Sequence, residues 1–173
     1  MSNRMPLSVI TVRPERAPDH ETVRRIHASA FGGPTEASLV HRLRGSPGSL
    51  SLVATEWGDV IGHILFTSAT LAGRPLRLAG LGPMAVHPTR QRIGVGSTLV
   101  RSGLEECRHA GYQAVVVVGH PGYYPRFGFQ HADRFGLRCQ FDVPAEVFMA
   151  LELQPGALLG GGEVQYAAAF SEE

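Results

Sequence analysis

The chain has 173 residues, 43% hydrophobic and 18% charged, with a formal net charge of +1. That length and composition suit one globular domain with a core and exclude a disordered chain. The charge balance argues against a nucleic-acid binder, which needs a basic excess on one face. We therefore expect a single domain over residues 1–173, with its core at about 8–170.

Ser8 to Arg13 reads as an opening strand, punctuated by Pro14 and Pro18. Asp19 to Phe31 has helical spacing of Val23, Ile26, His27 and Ala30, with Asp19 placed as N-cap. Gly32-Gly33-Pro34 ends it, and a second helix runs from about Thr35 to Arg44, with Thr35 as its expected cap. Ser49–Glu56 and Val60–Thr70 are strands joined by a Trp57-Gly58-Asp59 hairpin turn. Leu76 to Val86 is the fourth strand. Ser97 to Ala110 is a helix burying Leu99, Val100, Leu104 and Cys107, with Gly111 at its C-terminal cap. Tyr112 to Gly119, an unbroken apolar run, is a strand buried on both faces. His120 to Phe129 is a turn or short helix. Val147–Leu153 and Glu163–Phe170 are further strands, separated by the glycine-rich Gln154–Gly162. The order implies a mixed α+β domain.

Three features carry chemistry. Gly82-Pro83 interrupts a strand that otherwise reads as central, and proline cannot donate to a ladder. Either the strand lies at an edge, or it splays there and leaves Met84, Ala85 and Val86 facing a cleft. Next, Gln91-Arg92-Ile93-Gly94-Val95-Gly96 leads into Ser97 and Thr98 at a helix start. Two glycines, backbone N–H groups and the positive helix end suit a phosphate or pyrophosphate, and Arg90 and Arg92 can add charge. A plain glycine turn is the alternative. Third, Tyr124 stands four residues before Gly128-Phe129. One string match fails in context, and another pattern is absent. Gly80-Leu81-Gly82-Pro83-Met84-Ala85 is followed by His87-Pro88 rather than a helix, and no GxxxxGK is present.

With those residues in view, the stretch 80–129 resembles the GNAT superfamily of N-acetyltransferases. Its Q/R-x-x-G-x-G/A signature is met by Gln91, Gly94 and Gly96. The run is most similar to the YhbS-like branch of predicted acetyltransferases. The resemblance is specific in the middle of the chain and weak over residues 14–45. It implies a mostly antiparallel mixed sheet whose fourth and fifth strands, ending near Val86 and Val118, are parallel and splayed, with helices flanking them. It implies acetyl-CoA as co-substrate and an amine acceptor, small molecule or protein.

By that resemblance, the backbone of Met84, Ala85 and Val86 pairs with the pantetheine amides. Gln91 shapes the turn, while Arg92, Ile93, Gly94, Val95, Gly96 and Ser97 hold the pyrophosphate. Tyr124 stands by the thioester sulfur. A tyrosine, with a reference pKa of about 10 against about 8.5 for a thiol, is protonated at neutral pH and able to donate to the leaving sulfur. Packing against Tyr123 is its other reading.

For a general base, His120, Glu36, His63 and a water chain are the candidates. His63 reads better as a core histidine and His87 as structural. The eight histidines show no metal-ligand spacing, so no metal is expected. Cys107 and Cys139 form no disulfide or zinc pattern. Met1 to Ile10 carries no apolar leader, and Ala114 to Val118 is far shorter than the ~20 residues a membrane helix needs. The expectations are a cytoplasmic protein with no membrane or nucleic-acid partner, and a homodimer formed through an exposed strand near Glu163–Phe170. A non-catalytic acyl-CoA-binding regulatory module is the alternative to an enzyme.

Overall fold

The computed structural model describes residues 9–172, so the Ser8 start of the expected first strand lies outside them. In chain order the strands are β1 (Ile10–Pro14), β2 (Leu50–Glu56), β3 (Asp59–Leu71), β4 (Arg74–Val86), β5 (Ala114–Val118), β6 (Gln130–His131), β7 (Leu137–Cys139), β8 (Phe148–Glu152) and β9 (Gly162–Gln165). The helices are α1 (His20–Phe31), α2 (Thr35–Leu43) and α3 (Val95–His109).

The main path of the sheet runs β1-β2-β3-β4-β5-β8-β6, with β9 on β3 and β7 on β9. Pairings along that path are antiparallel except β4 with β5, and the outlying β7–β9 pair is also parallel. A helix layer covers each face. Leu52, Ala54, Ile64 and Phe66 pack with Leu99, Val100 and Leu104 of α3. The alternate residues Val53 and Leu65 meet Val23 of α1 and Val40 and Leu43 of α2. Being buried on both faces is why β3 reads as nearly continuous apolar sequence rather than as alternation.

α3 ends as expected. Gly111 N–H donates to the Arg108 carbonyl and Tyr112 N–H to that of Cys107, closing the helix with a Schellman pair. The two expected side-chain caps do not form. Asp19 instead accepts two bonds from Arg13, at 2.7 and 3.0 Å, and one from the Arg16 N–H at 2.8 Å. The Arg13 bonds hold its carboxyl down to about 2. Thr35 is the first helical residue, behind Pro34, and makes no capping bond.

The tail corrects another expectation. β9 stops at Gln165, and Ala168–Ser171 is a 3-10 turn. Val164 and Gln165 pair with Leu71 and Thr70 of β3, and β7 takes the other edge. This strand has no free edge to offer a second copy.

Candidate functional site

β4 and β5 run parallel from Leu78↔Ala114 to Leu81↔Val117, and there the pairing ends. The break has a local cause. On its other edge β4 slips register, Phe66 facing Leu81 but Ile64 facing Met84, so Gly82 and Pro83 together stand opposite Leu65 and β4 carries one extra residue. Beyond them Met84, Ala85 and Val86 still pair with β3 but have no partner on the β5 side. A cleft of ≈ 1140 Å³ opens in that gap.

One wall is the start of α3. Gly94, at φ 93°, is left-handed and sits at the N-cap, so the helix begins at Val95, two residues earlier than the sequence suggests. The amides of Val95, Gly96 and Ser97 are thereby the first-turn N–H groups that a helix leaves without internal partners. Gly94, Gly96 and Ser97 line the cleft, as do Gln91 and Arg92. Val95 faces the core, and Ile93 is exposed. Gln91 donates to the Val86 carbonyl at 3.0 Å, which ties the loop back to the end of β4. The two arginines separate: Arg90 pairs with buried Glu56 at 2.7 Å and only Arg92 faces the cleft. Arg126 takes the second place there, its guanidinium 4.6 Å above the Tyr123 ring and donating to the Tyr123 carbonyl.

The opposite wall follows β5. Tyr124 opens a 3-10 turn, Tyr124–Phe127, its ring edge-on to Tyr123 and Phe129 at 5.2 and 5.6 Å. It lines the cleft yet is only 7% exposed, and its hydroxyl has no hydrogen-bond partner among the described residues. Burial pushes this phenol up to about 12. The ring's place depends on Gly119, where a Cβ would overlap the ring carbons of Tyr124. Gly119→Ala is therefore expected to displace the ring, which a crystal structure of the variant checks. Tyr123 links the two walls through its hydroxyl, 3.3 Å from Ser97 Oγ.

The Acetyltransferase (GNAT) domain model matches residues 11–132. The chain belongs to the GNAT family. As a GNAT protein it is an acyltransferase, and its relatives agree in extent as well as in kind. It is 40% identical over 154 residues to the uncharacterized N-acetyltransferase YjhQ of Escherichia coli K12, covering 82% of this chain and 84% of YjhQ. The crystal structure of Escherichia coli YhbS in complex with CoA superposes with a TM-score of 0.91 at 34% identity, covering 97% of this chain and 95% of YhbS. A GNAT acetyltransferase from Brucella melitensis in complex with acetyl-CoA gives 0.78 at 35%, covering 94% and 98%.

The base candidates of this GNAT chain divide by location. His120 and Glu36 line the cleft. His63 does not: it is fully buried in a polar chain beneath α1. Arg44 clamps Glu15 at 2.9 and 3.0 Å, and the Ser51 hydroxyl donates to Glu15 at 2.9 Å. Ser51 Oγ then accepts from His63 Nε2 at 2.7 Å, so His63 Nδ1 accepts from His27 Nε2 at 2.8 Å. Burial lowers His27 to about 4 and His63 well below its ordinary value. His87 is structural, accepting from the Thr89 N–H and hydroxyl at 3.2 and 2.8 Å.

The sequence reading missed the far wall of the cleft, made by Phe31 with Phe141, Val143, Tyr166 and Phe170. Reading Glu163–Phe170 as one strand hid it. The turn at Ala168–Ser171 is what folds Phe170 against the core cluster that holds Val40 and Leu43 of α2. No local pattern marks Phe141, which follows β7 in an irregular segment.

Proposed function

We propose that this domain transfers an acetyl group from acetyl-CoA to an amine by direct attack on the thioester. The observation that carries this reading is the opening of the β4–β5 pair after Leu81 and Val117, with the amide-rich start of α3 on one wall and the Tyr124 hydroxyl on the other. The CoA and acetyl-CoA complexes of the YhbS and Brucella relatives support it.

In this arrangement the pantetheine lies along Met84, Ala85 and Val86 as an added strand, where β5 has left the edge open. The pyrophosphate rests on the turn Arg92, Ile93, Gly94 and the amides of Val95, Gly96 and Ser97, favoured by the helix end. Gln91 braces that turn through Val86, and Arg92 and Arg126 add positive charge. A neutral amine attacks the thioester carbonyl, and a strand amide at Met84–Val86 receives the oxyanion. The C–N bond forms, the C–S bond breaks, and Tyr124 donates a hydrogen bond to the departing thiolate. The proton shed by the amine leaves through water, with His120 as the cleft's candidate carrier. No metal takes part in this scheme.

Among the described residues no helix is long and apolar enough to cross a membrane, and the reading adopts a cytoplasmic enzyme acting on a soluble amine. The test is free-thiol release from acetyl-CoA across an amine panel, with binding followed by calorimetry. Micromolar binding and amine-dependent thiol release are expected. Tight binding without transfer to any amine would instead establish the regulatory-module alternative.

A further inference from the structure

The lining of the cleft carries two arginines and one glutamate. Arg92 and Arg126 both stand at the α3 end, the latter over the Tyr123 ring that meets Ser97. The lining from α1, α2, the segment after β7 and the tail carries Phe31, Glu36, Phe141, Val143, Tyr166 and Phe170. The tail rings are continuous, Phe141 to Tyr166 at 5.8 Å and Tyr166 to Phe170 at 5.4 Å. Phe170 also packs on the α2 cluster, whose first turn bears Glu36. Among the described residues lining the cleft, Glu36 is the only carboxylate. Glu36 also makes no ion pair among the described residues, whereas Glu15, Glu21 and Glu56 each hold an arginine.

We propose that the acceptor is an arylalkylamine: an ammonium met by Glu36, carried on an aromatic body that packs against Phe141, Tyr166 and Phe170, with no carboxylate beside the amine. This rests on the transferase reading above and names the substrate class for the same cleft. Three physical points support it. A half-buried carboxylate with no cation of its own attracts an ammonium and repels an anion. A free α-amino acid would bring its own carboxylate beside that of Glu36, and the two repel. Three contiguous rings offer stacking and edge contacts that an aliphatic diamine cannot use.

Tyramine, tyrosine and putrescine separate these points, each assayed by thiol release with acetyl-CoA. Tyramine is expected to exceed both others by about 30-fold or more in kcat/KM, because tyrosine adds only the carboxylate and putrescine lacks the ring. Glu36→Gln is expected to raise KM for tyramine about tenfold, narrow the tyramine-to-tyrosine ratio, and leave the Kd for acetyl-CoA unchanged, which also shows that the variant is folded. Turnover of tyrosine or putrescine equal to that of tyramine, or an unaltered KM in Glu36→Gln, overturns the assignment while the transferase reading stands. Acetyl-CoA binding with no thiol released by any amine removes the transferase reading and this assignment with it.

Discussion

Replacing Tyr124 with phenylalanine is expected to lower kcat by about 100-fold or more while changing the Kd for acetyl-CoA only a few-fold. The ring stays, and with it the contacts to Tyr123 and Phe129; the hydroxyl alone is lost. That hydroxyl has no internal partner among the described residues, so its removal breaks no hydrogen bond of the fold. Burial holds the phenol at about 12, so it is protonated throughout any practical assay. Full proton transfer to a thiolate of ordinary basicity, about 8.5, is uphill by several kcal/mol. In the proposed reaction Tyr124 is therefore a hydrogen-bond donor to developing negative charge, the kind of contact that strengthens in the transition state. The wild-type profile should accordingly show no alkaline loss from Tyr124 below about pH 10. Steady-state kinetics from pH 6 to 10 decide the matter: a variant kcat within threefold of wild type across that range removes Tyr124 from the reaction.

The second large effect concerns stability in mild acid. His27 and His63 are both fully buried and hydrogen-bonded to each other as neutral rings. Burial lowers His27 to about 4 and pushes His63 in the same direction, with Arg44 opposing protonation of both and Glu15 partly relieving it at His27. An unfolded histidine titrates near 6.5. Between pH 6.5 and 4 the unfolded chain therefore binds protons that the folded chain refuses, and stability falls as pH falls. For His27 alone the loss from pH 7 to pH 5 is about 2 kcal/mol, and His63 adds a loss of the same sign. Asp19 belongs to a different window: its carboxyl, held at about 2, supplies stability that is present above about pH 4 and lost below it. Urea unfolding at pH 7, 6 and 5 measures the effect. Equal stability at pH 7 and pH 5 would show that the pair accepts a proton without opening the core.

The segment from β4 to Tyr124 was legible in the chain because its signals are local. Gly82-Pro83 cannot continue a ladder, Gly94 can take the left-handed turn that starts α3, and Val115 to Val117 are apolar enough for a strand covered on both faces. Each depends on backbone permissiveness or hydrophobic period within a few residues, so the order of elements and the position of the cleft followed from them. The partners of long side chains did not. Which arginine turns to the cleft depended on Glu56, 34 positions before Arg90 and able to take it only after β2 and β4 were in place. His63 met His27, 36 positions away, because α1 crosses β3 at that point. The aromatic wall came from Phe31, Phe141 and Phe170, which share no periodicity and converge only through sheet order and the final turn. Short-range stereochemistry set the strands, the loop and the tyrosine in sequence order. Long-range packing, which brings distant residues within a few ångströms to bury apolar surface and pair buried charge, decided the cleft's lining.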